Sequence, residues 1–202
     1  MNDLIIRTGK IEDAYDFSHL ILLSAPVFFP SLFGDNVLEV MENLFRYPRN
    51  IFSFEHSYFI EMENKVAGMV LGYTWKERER EELYTGFLLF KYLGWDILTR
   101  VPYLLRVQSI LGNLVAGDYY ISNIAVYPEF RCSGLGTRLL EKVEEEAGER
   151  GCKMMVLDVE ADNRGAISLY EKLGYNAGER SSVVKIKGKS FEFFRMKKKI
   201  GG

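Results

Sequence analysis

The chain has 202 residues, and at about 150 residues per domain this length predicts a single domain over 1–202 rather than two. Hydrophobic residues make up 48% of the sequence, aromatic residues 14% and charged residues 27%, so a folded core is expected and intrinsic disorder is excluded. With 28 acidic and 26 basic residues, the formal net charge of -2 provides no positive field for a polyanion, and we expect no nucleic-acid partner.

Cysteine and histidine are scarce. Cys132 and Cys152 are too few for a disulfide framework, and together with His19 and His56 they make no plausible zinc cluster, so no metal is expected. This content fits a reducing, cytoplasmic location best. The amino terminus lacks the pattern of a signal peptide, and no apolar run approaches the about 20 residues that span a bilayer, so we expect no membrane partner.

The first half of the chain predicts, from apolar spacing, strands and helices in alternation. In order, these are a strand over 4–7, helices over 11–23 and 36–45, and an antiparallel hairpin of strands over 57–62 and 66–74. Pro26 and Pro30 are predicted to break the chain between the two helices.

The region 75–117 has a different character, because a charged run leads into Leu, Phe and Tyr at mixed spacing. Gly94, Pro102 and Gly112 interrupt it, which predicts an insertion of two or three short helices between the third and fourth strands. We expect this insertion to form a helical lid or a dimer contact, or else an extra layer of core.

The remainder predicts a strand over 119–126, a helix over 137–150, a strand over 153–159, a helix over 164–173, and a hairpin of 182–187 with 191–196. A right-handed crossover should make the strands at 119 and 153 parallel neighbours within an otherwise antiparallel sheet. The fold class is therefore α/β (α+β), with a mixed, mostly antiparallel sheet flanked by helices.

A glycine-containing loop, Arg131-Cys132-Ser133-Gly134-Leu135-Gly136, joins the strand ending at Val126 to the helix beginning near Thr137. Its glycines let the backbone approach a ligand, and the helix start offers unpaired N–H groups at the positive end of the dipole. This arrangement suits a phosphate or pyrophosphate. The loop lacks the three-glycine dinucleotide pattern and the Lys-Ser/Thr ending of a nucleoside-triphosphate loop, so a tight turn without ligand is the alternative.

A second group of residues follows the strand at 153–159. Asn163 and Tyr170 are seven residues apart, so on one helix they share a face with about 10 Å between them along the axis. One extended ligand arm could contact both side chains.

Several motifs in this half, in their order, resemble those of the GNAT N-acetyltransferases, most of all the amino-terminal and ribosomal-protein acetyltransferases. They are Ile124-Ala125-Val126-Tyr127-Pro128, the Arg-x-x-Gly-x-Gly loop at 131–136, and Asn163 with Ala166 and Leu169-Tyr170-Glu171-Lys172-Leu173-Gly174-Tyr175. The resemblance is dense from Tyr119 to Asn176 and architectural elsewhere. It implies a GNAT-like fold and transfer of the acetyl group of acetyl-CoA to a primary amine, in a protein, a peptide or a small molecule, by direct attack in a ternary complex.

The resemblance also implies roles for individual residues. Asn163 would hydrogen-bond the pantetheine arm, Tyr170 would protonate the departing thiolate, and Asp158 stands where the relatives carry a glutamate that accepts a proton. The pyrophosphate would lie on the backbone amides of 132–137, and main-chain groups of 124–126 would pair with pantetheine. The implied cofactor-binding residues are Ile124, Ala125, Val126, Arg131, Cys132, Ser133, Gly134, Leu135, Gly136, Thr137 and Asn163.

The chemistry favours a base, because a lysine amine of pKa about 10.4 is mostly protonated at pH 7, a handicap of about 4 to 5 kcal/mol. An α-amino group of pKa about 8 has a handicap of only about 1 to 1.5 kcal/mol. Aspartate is shorter than the glutamate of the family, so Glu61, Asp118, Glu160 or a water relay are alternatives to Asp158. Tyr170 could instead be a core tyrosine.

The rival function is a non-catalytic acyl-CoA-binding sensor. The presence of Tyr170 together with Asn163 and an acid at 158 favours the enzyme, because binding alone does not need Tyr170. A homodimer is a possible assembly, and the amine acceptor is left open. Arg195 and the lysines at 197–199 are interpreted as a solvated strand end.

Overall fold

A computed structural model describes residues 4–111 and 113–201 of the chain. The strands are β1 Leu4–Thr8, β2 Ser57–Met62, β3 Lys65–Thr74, β4 Asp118–Val126, β5 Met154–Glu160, β6 Asn176–Arg180, β7 Val184–Ile186, β8 Lys189–Phe191 and β9 Phe193–Lys199. The helices are α1 Ala14–Ser24, α2 Phe28–Phe33, α3 Val37–Arg46, α4 Trp75–Leu93, α5 Ile97–Ile110, α6 Leu135–Glu149 and α7 Arg164–Lys172. None of these helices is long and apolar enough to cross a membrane.

The central sheet has seven strands in the order β1-β2-β3-β4-β5-β9-β6. Among the described strands, β4 and β5 are the one parallel pair, because α6 carries the chain from one to the other in a crossover. The other neighbours in the sheet are antiparallel. The predicted mixed, mostly antiparallel sheet is confirmed.

Helices cover both faces of this sheet, because successive side chains of a strand point to opposite sides. Phe59, Met69 and Leu71 belong to a core shared with α1 and α3. Ile60 and Val70, their neighbours along the strands, pack instead into a second core with α6. The sheet is therefore the middle of three layers, and a site that opens between its strands lies between two cores.

The helical insertion between the third and fourth strands is confirmed, but it contains two long helices rather than two or three short ones. Helix α4 has 19 residues and α5 has 14, with one 3-10 turn between them. Gly94 follows α4 with φ of 56°, a conformation that glycine adopts without strain. Pro102 lies inside α5 without ending it, since the packing of buried Ile97 and its neighbours holds this helix. Gly112 lies outside the described residues.

Two further differences have local causes. The predicted break at Pro30 is wrong, because Pro30 is the third residue of α2, where its missing N–H group would have had no intrahelical partner. The predicted hairpin near the carboxyl end is also wrong in extent. A short hairpin of β7 and β8 ends at Phe191, and β9 begins at Phe193 and enters the main sheet between β5 and β6.

Strand β6 has no prediction, because its sequence is polar and contains Gly178. It lies at the sheet edge, paired with β9 alone among the described strands. Helix α6 begins at Leu135, two residues before the predicted start, so Gly136 and Thr137 belong to its first turn.

Candidate functional site

The strands β4 and β5 separate along their length and leave a cleft in the sheet. Their parallel pairing joins Asp118–Ile121 to Met154–Leu157 and goes no further. Beyond Ile121, β4 continues to Val126 with its other edge paired to β3, where Ile124 lies opposite Val70 and Ala125 opposite Met69. The edge of β4 that faces β5 can therefore form hydrogen bonds to an extended ligand along Ser122–Val126.

The loop at 131–136 ends in the amino terminus of α6. Gly134 is the N-cap residue with φ of 77°, and Cys132 also has a positive φ, of 61°. The first bond inside the helix runs from the Arg138 N–H to the Gly134 carbonyl at 3.2 Å. Helical geometry leaves the N–H groups of Leu135, Gly136 and Thr137 without an intrahelical acceptor, so they can bind an anion.

The loop is held against the end of β4 by its own side chains. The Arg131 Nε donates to the Val126 carbonyl at 3.2 Å, and the Ser133 hydroxyl donates to the Phe130 carbonyl. Cys132 is exposed, and its thiol is free. The candidate anion site is therefore connected directly to the strand edge that would hold the rest of the ligand.

A cavity of about 380 Å³ opens beside this edge. Four of the predicted site residues line it, and they come from β4, β5 and α7: Ile124, Asp158, Asn163 and Tyr170. The opposite wall consists of side chains from α2 and from the inner face of the insertion helices α4 and α5. The volume lies within the range of about 300 to 1,000 Å³ that is common for ligand sites.

Asn163 and Tyr170 both line the cavity, Asn163 as the N-cap residue of α7 and Tyr170 from within this helix. The Asn163 side-chain oxygen accepts a hydrogen bond from the Ala166 N–H at 3.1 Å and so caps α7, which leaves its amide nitrogen as the donor toward a ligand. Tyr170 is 7% exposed, and burial raises the pKa of its hydroxyl to about 12. The phenol is therefore protonated at neutral pH and can give up a proton.

Asp158 is engaged by two partners. The Arg195 guanidinium donates to both carboxylate oxygens, at 2.9 and 2.8 Å, and the Tyr120 hydroxyl donates to one of them at 3.0 Å. Arg195 also donates to the Asn113 and Ile110 carbonyls, so it links β5 to the end of α5. Both carboxylate oxygens of Asp158 therefore have protein hydrogen-bond donors.

Glu160, two residues along the same strand face, has a different environment. It lines the cavity, and its Oε1 atom is buried with no hydrogen-bond partner among the described residues. Burial, and then the charge of Asp162, raise the pKa of this carboxyl. Three residues further along the chain, the main-chain N–H of Asn163 donates to the Glu160 carbonyl at 2.9 Å. Glu160 therefore lies just before the N-cap of α7.

The other two alternative acids lie elsewhere in the fold. Glu61 accepts a hydrogen bond from Arg7 at 2.6 Å near the first edge of the sheet, and Asp118 accepts one from the Val115 N–H at 3.0 Å at the start of β4. Of the acids considered, Asp158 and Glu160 are thus the two that line the cavity. Among the described residues, no three His, Cys, Asp or Glu side chains form a group suited to a metal ion.

Sequence reasoning missed Arg195 and Tyr120. Arg195 is not part of a solvated strand end, because it lies opposite Asp158 in the pairing of β5 with β9 and forms the ion pair described above. No local pattern could have indicated this contact, since the two residues are 37 positions apart. The sequence identified Tyr120 only as a residue of the predicted strand over 119–126.

Comparison with known proteins gives one family. The model of the acetyltransferase (GNAT) family matches residues 24–175. The ribosomal protein bS18-alanine N-acetyltransferase of Escherichia coli strain K12 is 43% identical over 64 residues, which are 32% of this chain and 43% of that protein. The match with this curated relative therefore spans less than half of the relative's length.

Solved structures resemble the whole described fold. A crystal structure of an N-acetyltransferase from Staphylococcus aureus Mu50 has a TM-score of 0.71 and 20% identity, over 96% of this chain and 100% of its own. An acetyltransferase of Bacillus subtilis in complex with CoA has a TM-score of 0.53 and 15% identity, over 98% of this chain and 99% of its own. At these identities the likeness establishes a shared fold.

Proposed function

The chain belongs to the acetyltransferase (GNAT) family, and from this premise we propose that it transfers the acetyl group of acetyl-CoA to a primary amine. The observation that carries the proposal is that the open β4 edge leads to the amino terminus of α6 at its end, while Tyr170 lines the cavity beside this edge. The first two features suit an extended thiol carrier with a diphosphate, and the third suits a reaction that releases a thiolate.

Donor binding is proposed to use mostly main-chain groups. The pyrophosphate lies on the N–H groups at 132–137, where the helix dipole adds a favourable interaction with negative charge. The pantetheine arm pairs with the β4 edge at Ile124–Val126 and accepts a hydrogen bond from the Asn163 amide. Arg131 shapes the loop through its bond to the Val126 carbonyl.

Bound acetyl-CoA supplies an activated acyl group whose leaving sulfur needs a proton as the bond to carbon breaks. We propose that Tyr170 gives that proton. A phenol with a pKa of about 12 is a weaker acid than a thiol of pKa about 8.5, but burial in the same cavity also raises the pKa of the thiol and narrows the difference. Proton donation of this kind contributes about 10²- to 10⁴-fold to rate.

The same site could bind an acyl-CoA without turnover, as a sensor. Tyr170 argues for the enzyme, because it lines the cavity without being required for the anion site or for the strand edge. The relative from Escherichia coli acts on an alanine of a ribosomal protein, and an amino-terminal amine is accordingly one acceptor within the proposal.

The decisive experiment measures binding and turnover separately. Calorimetry with CoA and acetyl-CoA should give one site per chain, and free thiol should then appear from acetyl-CoA in the presence of a panel of primary amines and amino-terminal peptides. Binding without thiol release on any acceptor would favour the sensor. Absence of binding to either form would overturn the proposal.

Four further expectations remain predictions. The free thiols of Cys132 and Cys152 fit a reducing, cytoplasmic location. The site is proposed to work without a metal, through the main chain, Asn163 and Tyr170. The third is a homodimer, and a single domain over 1–202 is likewise a prediction.

A further inference from the structure

Part of the cavity wall is nonpolar, and we call the space beside it the chamber. Its walls come from four separate elements, α2, α4, α5 and β9, and the side chains are large and mostly aromatic or branched: Phe28, Phe29, Phe33, Leu89, Leu104 and Phe193. The Phe28 ring packs edge-on against Phe193 with 5.5 Å between ring centres, which fixes the floor of the chamber. A chamber with such walls favours a nonpolar occupant.

The charged groups at this cavity are paired, with one exception. Arg78 lies 3.6 Å from Glu82 on the same helix, and Asp158 is paired with Arg195. Glu160 is the remaining carboxylate in the cavity wall, and its buried Oε1 has no hydrogen-bond partner among the described residues. A buried hydrogen-bond acceptor without a partner is unfavourable unless a ligand satisfies it.

Glu160 has one neighbour in the chamber wall and another at the start of α7. In the pairing of β5 with β9 it lies opposite Phe193, a wall of the chamber. Along the chain it lies three residues before the cap residue Asn163, whose main-chain N–H donates to the Glu160 carbonyl at 2.9 Å. A cation bound at Glu160 would therefore lie beside the chamber wall and beside the start of α7, which carries Asn163 and Tyr170 of the proposed donor site.

Resting on the proposed function, we propose that the acceptor is an apolar primary amine, with its nonpolar part in this chamber and its ammonium group bound and deprotonated by Glu160. The chamber and the unpartnered carboxylate together match both halves of such a molecule. A polar amine would leave the nonpolar walls poorly covered, and a nonpolar molecule without an amine would leave Glu160 unsatisfied.

The proton steps balance. Glu160 takes one proton from the ammonium, and the nitrogen lone pair then forms the bond to the acetyl carbon as the carbon–sulfur bond breaks. The sulfur takes a proton from the Tyr170 hydroxyl. The nitrogen loses its second proton, through solvent, to the resulting phenolate, and Glu160 releases its proton to solvent. The net products are the amide, CoA thiol and one proton.

The nonpolar chamber is tested with a series of acceptors: methylamine, butylamine and 2-phenylethylamine, with thiol release from acetyl-CoA as readout. The specificity constant should rise by about fourfold for each methylene group that becomes buried. Leu104→Phe, which fills the chamber, should reduce the rate with 2-phenylethylamine at least tenfold and leave methylamine within about threefold. Leu105→Phe is the matched control, because Leu105 is the next residue of α5 and is 60% exposed.

A longer acyl chain on the donor is the other nonpolar occupant of this chamber. It would make hexanoyl-CoA a better donor than acetyl-CoA for methylamine and would make the length of the amine irrelevant. Equal specificity constants across the amine series, or this preference for hexanoyl-CoA, would overturn the inference. Calorimetry of 2-phenylethylamine in the presence of CoA provides a readout without turnover, and Leu104→Phe should weaken that binding.

The role of Glu160 is tested with Glu160→Gln, which keeps the shape and removes the charge. At neutral pH kcat should fall by about 100-fold or more, while acetyl-CoA binds within threefold of wild type. The ratio of wild-type to variant rate should shrink as the pH approaches about 10, because the amine then loses its proton to water. A uniform loss at every pH would indicate a structural role for Glu160 and contradict the inference.

Glu192→Gln is the control for the loss of a nearby negative charge. It removes a carboxylate beyond β8 that forms a surface ion pair with Arg180 at 3.2 Å. This variant should keep the wild-type pH profile. The charged and titratable groups around Glu160 are Asp158 on its strand, Asp162 in the next turn, Lys185 and Glu192 at the small sheet, Arg78 and Glu82 on α4, and Tyr170 on α7.

If wild type binds acetyl-CoA and acetylates polar amines alone, this inference fails while the proposed function stands. If it does not bind acetyl-CoA, both fail.

Discussion

Tyr170 and Tyr175 are two buried tyrosines with unlike positions. Their rings are 5.8 Å apart, and burial raises the pKa of both hydroxyls. Tyr170 lines the cavity, whereas the Tyr175 hydroxyl is buried without a hydrogen-bond partner among the described residues. Substitutions at the two positions therefore distinguish the effect of removing a hydroxyl at the cavity from the effect of removing a hydroxyl in the core.

We expect Tyr170→Phe to lower kcat by about 100-fold or more, because the thiolate loses its proton donor, with the affinity for acetyl-CoA within threefold of wild type. Steady-state thiol release and calorimetry measure the two quantities. Tyr175→Phe should leave both unchanged and should not destabilise the fold, since its hydroxyl has no protein partner to lose. Equal losses of rate and affinity in Tyr170→Phe would make it a packing residue.

Helix α4 forms one wall of the cavity, and polar contacts near its start hold it to the sheet. Thr74 and Glu77 form a capping box at its first turn, and Glu77 also accepts a hydrogen bond from Arg150 of the layer opposite at 2.6 Å. One turn further, Glu81 is buried and accepts a hydrogen bond from His56 at 2.7 Å. The orientation of the wall thus depends on a buried contact.

At this scale we expect His56→Ala to lower the free energy of unfolding by about 2 to 3 kcal/mol, because the buried Glu81 carboxylate loses a hydrogen-bond partner. Urea unfolding followed by circular dichroism measures the change. Glu79→Ala, an exposed position of the same helix, is the control and should change stability by less than about 0.5 kcal/mol. A His56→Ala protein as stable as the control would mean that the contact contributes little.

At the scale of the whole molecule, the insertion has two apolar sides. Its inner side lines the cavity and joins the core through Leu88, Leu89 and Ile97. Its outer side exposes large nonpolar side chains, among them Leu83 at 88%, Trp95 at 78% and Phe87 at 59%. A cluster of this kind on a folded surface is typical of a contact with another molecule.

A homodimer through this outer side would bury these side chains, and analytical ultracentrifugation at micromolar concentration should then detect a dimer. Leu83→Lys combined with Trp95→Lys should return the protein to a monomer without changing its circular dichroism spectrum. Lys199→Glu is the matched control, because Lys199 is exposed at the end of β9, opposite Met154 of β5, and its substitution should leave the dimer intact. A monomeric wild type would remove the homodimer prediction.

Short segments of sequence determined much of this site. Gly134, Asn163 and Tyr170 each act through their own backbone neighbourhood: a left-handed turn, a helix cap and a fixed spacing along one helix. Such features depend on residues close in the chain, so motif and spacing predict them. The order of strands around β4 and β5 followed for the same reason, since the crossover through α6 is local.

Contacts between distant segments were decided only by the tertiary structure. The Asp158–Arg195 ion pair depends on the register of β5 with β9, and the chamber depends on α2, α4 and α5 packing together. Glu160 could be named from the sequence as one of several acids, but its unpartnered oxygen became evident only once its neighbours were in place. Desolvation and ion pairing depend on the whole surroundings of a group, and residues far apart in the chain make up those surroundings.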